Sequence, residues 1–462
     1  VIEKGRRRGV LSELVDSVNA ELSMKRAGEA EDGQEEKRGE FHGKEIFFKR
    51  KRILNFNQFK LGTIRTPFNK NCFAFVCKVN FYGNIKMKYT YALFFILSIG
   101  LFSISCSTSR NGPATKWYRG NTHTHTSALR GHAKTSPKDV TAWYHKRDYN
   151  FLILSEHDLF IDPKKVEMPK NKRNDFILIP GIELSEELHG TCMNVPDKVK
   201  KISGKGKTNK QIIQSQVDRT LDIGGQFIHN HPNWLSRVKK EDIEGIKNLT
   251  LFEHYNGTMS VEQTFGSDEF ESTQVIWDHL LGKGDVMYAV AADDAHSHEP
   301  GSDAPGRGWV MVNAQKAKEL TPKAITDAML HGEFYASSGV FLDNCDFDNG
   351  TYRVVINKEA TIKELANLAQ VRGKPIKNGK AGFRIEWIEK SGKVFKTTTA
   401  LSSFVKAKKD QIYIRPRIVY TRKNLKFGWE EYFAWGQPQF MDGRTKKSNH
   451  THGLVSNHVH TH

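Results

Sequence analysis

Between residues 117 and 313 short apolar runs recur, and each gives way to a polar cluster before a stretch with helical spacing begins. The runs 117–123, 150–156, 176–183, 226–231, 248–255, 287–293 and 308–313 are rich in β-branched and aromatic residues and read as seven strands. Helices are expected near 209–221, 241–246, 271–281 and 322–331. A further helix should open with Ser136 as N-cap and Pro137 at its first position, then run through Val140, Trp143 and Tyr144. Strand and helix alternating over this length argue for an α/β barrel or a doubly wound sheet. From about Ser338 the pattern turns to short alternating runs, 352–356, 383–388 and 411–420, separated by Gly, Lys and Asn. They predict a small antiparallel β domain over 341–442.

One segment departs from this water-soluble pattern. MKYTYALFFILSIGLFSISC, from Met87 to Cys106, has a basic start, an apolar run, small residues and a cysteine. That is the layout of a secretory signal, and the run is shorter than a spanning helix wants. It resembles a bacterial lipoprotein signal, with Ser103, Ile104 and Ser105 where Leu and then Ala or Gly are usual. The expectation is a signal peptide over 87–105, a linker over 106–116, and an exported chain that is lipid-anchored at Cys106 or periplasmic. An uncleaved anchor is the alternative. Residues 1–86 are expected to be upstream sequence, disordered or not translated, with synthesis starting at Met87. The tail 443–462 carries His450, His452, His458, His460 and His462 and is expected to be disordered.

Charge adds little. The whole chain carries +18, but residues 1–88 hold 19 of the 70 Lys and Arg and 11 of the 52 Asp and Glu, leaving about +10 beyond them. Such a balance suits anionic substrates, with nucleic acid entering only as a substrate. Of five cysteines only Cys192 and Cys345 lie beyond Cys106, so a disulfide scaffold is excluded.

Chemistry concentrates where the apolar runs end. GNTHTHT supplies His123 and His125, which in extended chain point to one face. SEHD supplies His157, PGIELS Glu183, IHNHPNW His229 and His231, and ADDAHS Asp294 and His296. So many imidazoles and carboxylates at successive strand ends would leave polarity uncompensated unless something binds them, and a metal is the natural partner. Imidazole with carboxylate and no thiolate suits Zn, Mn or Fe, and Glu183 is placed to bridge two ions. Arg307, in GRGWVMV, is a candidate phosphate clamp, and Asn230 is a candidate for the pocket lining. Candidates for a proton donor are Asp158, Asp293 and His298.

This ordered set, His-x-His, a strand-end His, Gly-Ile-Glu, His-Pro and Asp-x-His, resembles the PHP (polymerase and histidinol phosphatase) superfamily over about residues 117–340. The resemblance implies a distorted seven-stranded (β/α) barrel and hydrolysis of a small phosphorylated substrate by a water activated by two or three metal ions. By position it makes His123, His125, Glu183 and Asp294 ligands of one ion, Glu183 and His231 of a second, and His157 and His296 of a third. Two departures matter. Leu129 and Arg130 stand where the family usually has Ser-Asp, making His132 the replacement ligand. Cys192 stands where a histidine is usual, leaving His189 or the Cys192 thiolate to substitute. A nuclease or oligonucleotide phosphoesterase and a degenerate binding module are the alternatives.

Overall fold

The computed structural model describes residues 61–63, 75–77 and 116–445, apart from 259–263, 268–270, 303, 315–318 and 368–372. The expectations for the signal segment 87–105, Cys106 and the tail beyond residue 445 lie outside the described residues. So do those for residues 1–86, except for the antiparallel pair β1 (Leu61–Thr63) and β2 (Phe75–Cys77). No helix among the described residues is long and apolar enough to cross a membrane.

The compact unit Arg110–His462 begins with the strands that carry the polar clusters. They are β3 (Trp117–Asn121), β4 (Phe151–Ile153), β5 (Ile177–Ile179), β6 (Gly181–Ser185), β7 (His189–Met193), β8 (Gln226–His229), β9 (Leu251–Asn256), β10 (Tyr288–Ala292), β11 (Trp309–Asn313) and β12 (Phe334–Ser337). Interleaved are α1 (Pro137–His145), α2 (Asn209–Asp222), α3 (Lys240–Ile243), α4 (Thr273–Lys283) and α5 (Pro322–Leu330). Helix starts follow their cap chemistry. Ser136 accepts from the Asp139 N–H with Pro137 at N1, and Thr208 forms a reciprocal capping box with Gln211.

The strands form a mixed α/β architecture with two separate ladders. One runs β10-β9-β8-β7-β6, with β8, β9 and β10 parallel and β7 antiparallel to both β6 and β8. The other contains β12-β11-β3-β4-β5, with β3, β4 and β5 parallel and β11 antiparallel to β3 and β12. The ladders do not close into the expected seven-stranded barrel; they meet at two isolated parallel bridges, Thr124 with Ala295 and His157 with Glu183. Part of the reason lies in the run 176–183. Pro180 has no N–H to give a ladder, and the run divides there into β5 and β6, one in each sheet. The strand β7 is not among the seven apolar runs, because His-Gly-Thr-Cys-Met shows little apolar alternation.

The C-terminal strands are β13 (Phe341–Asp348), β14 (Thr351–Asn357), β15 (Lys374–Ile376), β16 (Gly382–Glu389), β17 (Lys393–Thr398), β18 (Ser402–Lys406), β19 (Tyr413–Asn424), β20 (Gly428–Gly436) and β21 (Gln439–Phe440). All their pairings are antiparallel; β20 pairs with β12, so β15, β16, β17, β19, β20 and β21 extend the sheet that holds β3, while β13, β14 and β18 form a three-stranded sheet of their own. The helix α6 (Lys358–Asn367) interrupts them.

Helices α2 and α4 pack on β8 and β9. With a two-residue side-chain period, the faces of β9 separate sharply: His254 packs with Trp277 and Trp435, while Glu253 reaches His123. The polar cluster is therefore lifted out of the apolar core by strand alternation.

Candidate metal centre

Past a bend at Thr122, Thr124 bridges Ala295 while His123 and His125 project to one side. The His125 N–H donates to the Ala295 carbonyl at 2.9 Å and the Asp294 N–H to the His123 carbonyl at 2.9 Å, locking these two segments side by side. Asp294 (φ 51) and His231 (φ 24) sit in the left-handed region where the backbone turns sharply beyond its strand. His157 follows β4, Glu183 lies within β6, His189 opens β7 and His296 follows Asp294.

Glu183 is at the centre. Its Oε1 lies 3.3 Å from His123 Nε2, 3.4 Å from His189 Nδ1 and 3.6 Å from His231 Nε2; its Oε2 lies 2.8 Å from His157 Nδ1 and 3.5 Å from His125 Nε2. His123 Nε2 and His125 Nε2 face one another at 3.2 Å, with Asp294 Oδ1 at 3.3 and 3.0 Å. Four overlapping groups have ligand atoms close enough for one ion each: His123 with His125 and Asp294; His123 with Glu183 and His231; His157 with Glu183 and His189; and His125 with His132, His157 and His296.

The electrostatics match. Burial alone would raise the carboxyls of Glu183 and Asp294, but His123, foremost, and its neighbours hold both well below the usual range. Burial would likewise lower His123 and His125, yet Asp294, Glu183 and, for His123, Glu253 outweigh it; Glu156 helps bring His125 to about 9. Ionised carboxylates facing protons that a cation can displace are a metal-ready state. His132 goes the other way. Burial, then repulsion from His125, His157 and His296, pushes it down to about 4, keeping a ring lone pair available. The buried Nε2 of His132 makes no hydrogen bond, while Nδ1 of His157 and Oε2 of Glu183 face one another at 2.8 Å without good alignment. A buried polar atom left orphaned costs about 1–3 kcal/mol, which a bound divalent ion would offset.

Two carboxylates missed in the sequence complete the frame. Glu253 Oε1 lies 3.0 Å from His123 Nδ1 and its Oε2 accepts from the His231 N–H at 2.9 Å. Glu156 faces His125 Nδ1 at 3.3 Å and accepts from the Thr126 N–H at 2.8 Å. An acid inside the apolar strand 251–256 was the available signal, since a buried charge needs partners.

Several expected roles are corrected. The Cys192 thiol lies on the core side of β7, 3.0 Å from Thr220 Oγ1, and burial pushes it up to about 12; His189 is the residue that faces Glu183. Asn230 does not line the cavity: its amide donates to Glu183 Oε1 at 2.8 Å and steadies that carboxylate. Arg307 is buried and donates to the Gly257 carbonyl, away from the cavity lining. None of the three proton-donor candidates lines the cavity. Asp158 is held by Ser185 and Lys201. Asp293, raised by burial to about 6, accepts from Tyr144 and the Gly306 and Gly308 N–H groups. His298, lowered by burial to about 3, packs beside Tyr144 and Thr124. His229, named with His231 in the sequence, is buried and likewise pushed down to about 3.

A cavity of about 460 Å³ opens over the cluster, walled by His132, His157, His189, His231, Asp294 and His296 together with Trp234, Thr258, Ser297, Ser302 and Ala304. Together these features define a buried imidazole and carboxylate site whose chemistry fits divalent metal ions.

No protein-family model matches the chain, and no curated protein matches it. Among solved structures the chain is similar to a two-domain protein from Bacteroides vulgatus described as containing a predicted PHP-like metal-dependent phosphoesterase. The identity is 12% and the TM-score 0.34, over 69% of this chain and 95% of that one.

Proposed function

We propose that the protein is a metal-dependent phosphoesterase of PHP type. The observation that carries this reading is the division of Glu183 between two sets of imidazoles, His123, His189 and His231 at one oxygen and His125 and His157 at the other. A carboxylate so flanked suits a bridge between two ions. His123, His125 and Asp294 would hold the first, His231 with Glu183 the second, and the imidazoles of His132, His157 and His296 a third. The donor set suits Zn, Mn or Fe. Bound ions would supply Lewis acidity, activating a water and offsetting charge on the phosphoryl oxygens. The protein's own part is to fix the ligand set. Glu253 and Glu156 orient His123 and His125, and Asn230 holds Glu183. The bridges of Thr124 with Ala295 and His157 with Glu183 lie where a barrel would join its two halves. The apolar segment 87–105 supports export, with lipid at Cys106 or release into the periplasm.

The test is metal analysis of the purified chain paired with phosphate release from simple mono- and diesters. Two or three ions per chain are expected, with hydrolysis lost on chelation and in Glu183→Ala. A chain that binds no divalent ion, or that binds them fully and cleaves no phosphate ester, would sink this reading.

A further inference from the structure

The metal centre accounts for a phosphoryl group but leaves the organic half of a substrate without a partner. Among the described residues of the cavity wall, Trp234 is neither a ligand candidate nor small. It sits in a segment of unusual backbone, with His231 (φ 24), Leu235 (φ 56) and Ser236 (φ 54) all on the left-handed side that such residues rarely occupy. Such strain persists only where the surroundings fix it. Here the Trp234 N–H donates to the His231 carbonyl at 3.0 Å, the Ser236 N–H to the Asn233 carbonyl at 3.0 Å, and the Asn233 amide to the Glu271 carbonyl at 2.6 Å.

The segment delivers the indole to a particular place. Its ring centroid lies 5.2 Å from that of His231 and 5.6 Å from that of His189, two of the three imidazoles gathered on Glu183 Oε1. Trp277 and Trp309 lie within the hydrophobic core, and the half-buried Trp117 and Trp143 pack against it; Trp234 is half-buried outside both apolar clusters and keeps part of its surface on the cavity. The Arg237 guanidinium, on an exposed residue, lies 5.2 Å from the indole centroid and adds positive charge beside the ring. The other non-ligand wall residues, Thr258, Ser297, Ser302 and Ala304, offer no comparable flat surface.

Resting on the phosphoesterase reading, we propose that Trp234 is the specificity-determining residue of this centre. It selects phosphate esters whose alcohol carries a flat aromatic ring, which packs on the indole while the phosphoryl group faces Glu183. Aromatic rings favour such contacts at offset or edge-on geometry over a short range of centroid separations.

The experiment compares benzyl phosphate with methyl phosphate on the metal-loaded chain, in the parent, Trp234→Leu and Trp234→Phe. The benzyl-to-methyl ratio of kcat/KM should fall roughly tenfold in Trp234→Leu, the size of one lost stacking contact, and return most of the way in Trp234→Phe. An unchanged ratio, whether or not metal content drops, overturns the proposal by reducing Trp234 to packing behind the histidines. If the parent hydrolyses neither ester, the phosphoesterase reading is what has failed. Calorimetry with benzylphosphonate and methylphosphonate then decides about Trp234. Tighter benzylphosphonate binding that Trp234→Leu abolishes supports the aromatic surface, and equal affinities overturn it.

Discussion

Glu253 Oε1 lies 3.0 Å from His123 Nδ1, both groups fully buried, so the carboxylate fixes the ring and turns Nε2 toward Glu183 and Asp294. The same carboxylate takes the His231 N–H on its other oxygen. One acid thus sets two candidate ligands that follow strands of different sheets, β3 and β8. Glu253→Gln keeps the shape but loses the charge that favours this ring orientation. Metal affinity, read by competition with a chromophoric chelator, should weaken roughly 10–100-fold, as expected for partners behind a metal ligand. Unaltered affinity would show that His123 needs no such support.

His189 and Cys192, three residues apart on β7, part company by strand register. Cys192 pairs with Ile182 and Phe227 and shares their core-facing side, whereas Glu183 pairs with Thr191. Cys192→Ala should therefore leave metal content as it is, cost about 1 kcal/mol of stability, and remove no reactive thiol, since burial holds that thiol at about 12. His189→Ala should lower metal content instead. Loss of metal in the cysteine variant, measured by elemental analysis, would contradict the register.

What the sequence disclosed and what it hid divide along physical lines. His123, His125, His157, Glu183, His231, Asp294 and His296 were legible because each follows or ends an apolar run, where a polar side chain cannot be core. The Ser136 cap and Pro137 were legible because helix starts are local chemistry. Sheet pairing was not. Pro180 sends β5 and β6 to different sheets, and β7 enters antiparallel between β6 and β8, arrangements that depend on partners distant in the chain. The choice of His189 over Cys192 depends on that register, so spacing alone left both open. Glu156 and Glu253 hid inside strand-like runs, where their burial only makes sense once His125 and His123 are seen beside them.

Asp278 on α4 and Arg415 on β19 tie the C-terminal strands to the helical layer. Asp278 Oδ1 accepts from Arg415 at 2.6 Å and from the Tyr413 hydroxyl at 2.9 Å, and Gln274 takes the other oxygen at 2.8 Å. Arg415 is completely buried, so Asp278→Ala strands its charge. The expected loss is roughly 3–5 kcal/mol in denaturant unfolding, largely recovered when Arg415→Met is added, because an apolar pair of similar size avoids the desolvation cost. If the double variant were no more stable than the single one, the stranded charge would not be the cause.

His254 supplies a pH dependence whose sign can be worked out. Burial first, then the nearby Arg415 and Arg417 guanidiniums, push it well below its ordinary value, and it packs against Trp277 and Trp435 at centroid distances of 5.1 and 5.0 Å. In the unfolded chain the imidazole takes a proton near its ordinary value of about 6.5, while in the folded chain it stays neutral until far lower. Its contribution is thus constant at higher pH and is lost as pH falls below about 6.5, at up to roughly 1.4 kcal/mol per pH unit. His254→Leu removes that group, so the unfolding free energy of the metal-free variant should fall less steeply between about pH 6 and pH 4 than that of the parent. The parent keeps part of its slope in the variant through His298 and His229, each lowered to about 3. Parallel pH profiles for the two proteins would mean that His254 is protonated in the folded state, contrary to its setting between two tryptophans and two guanidiniums.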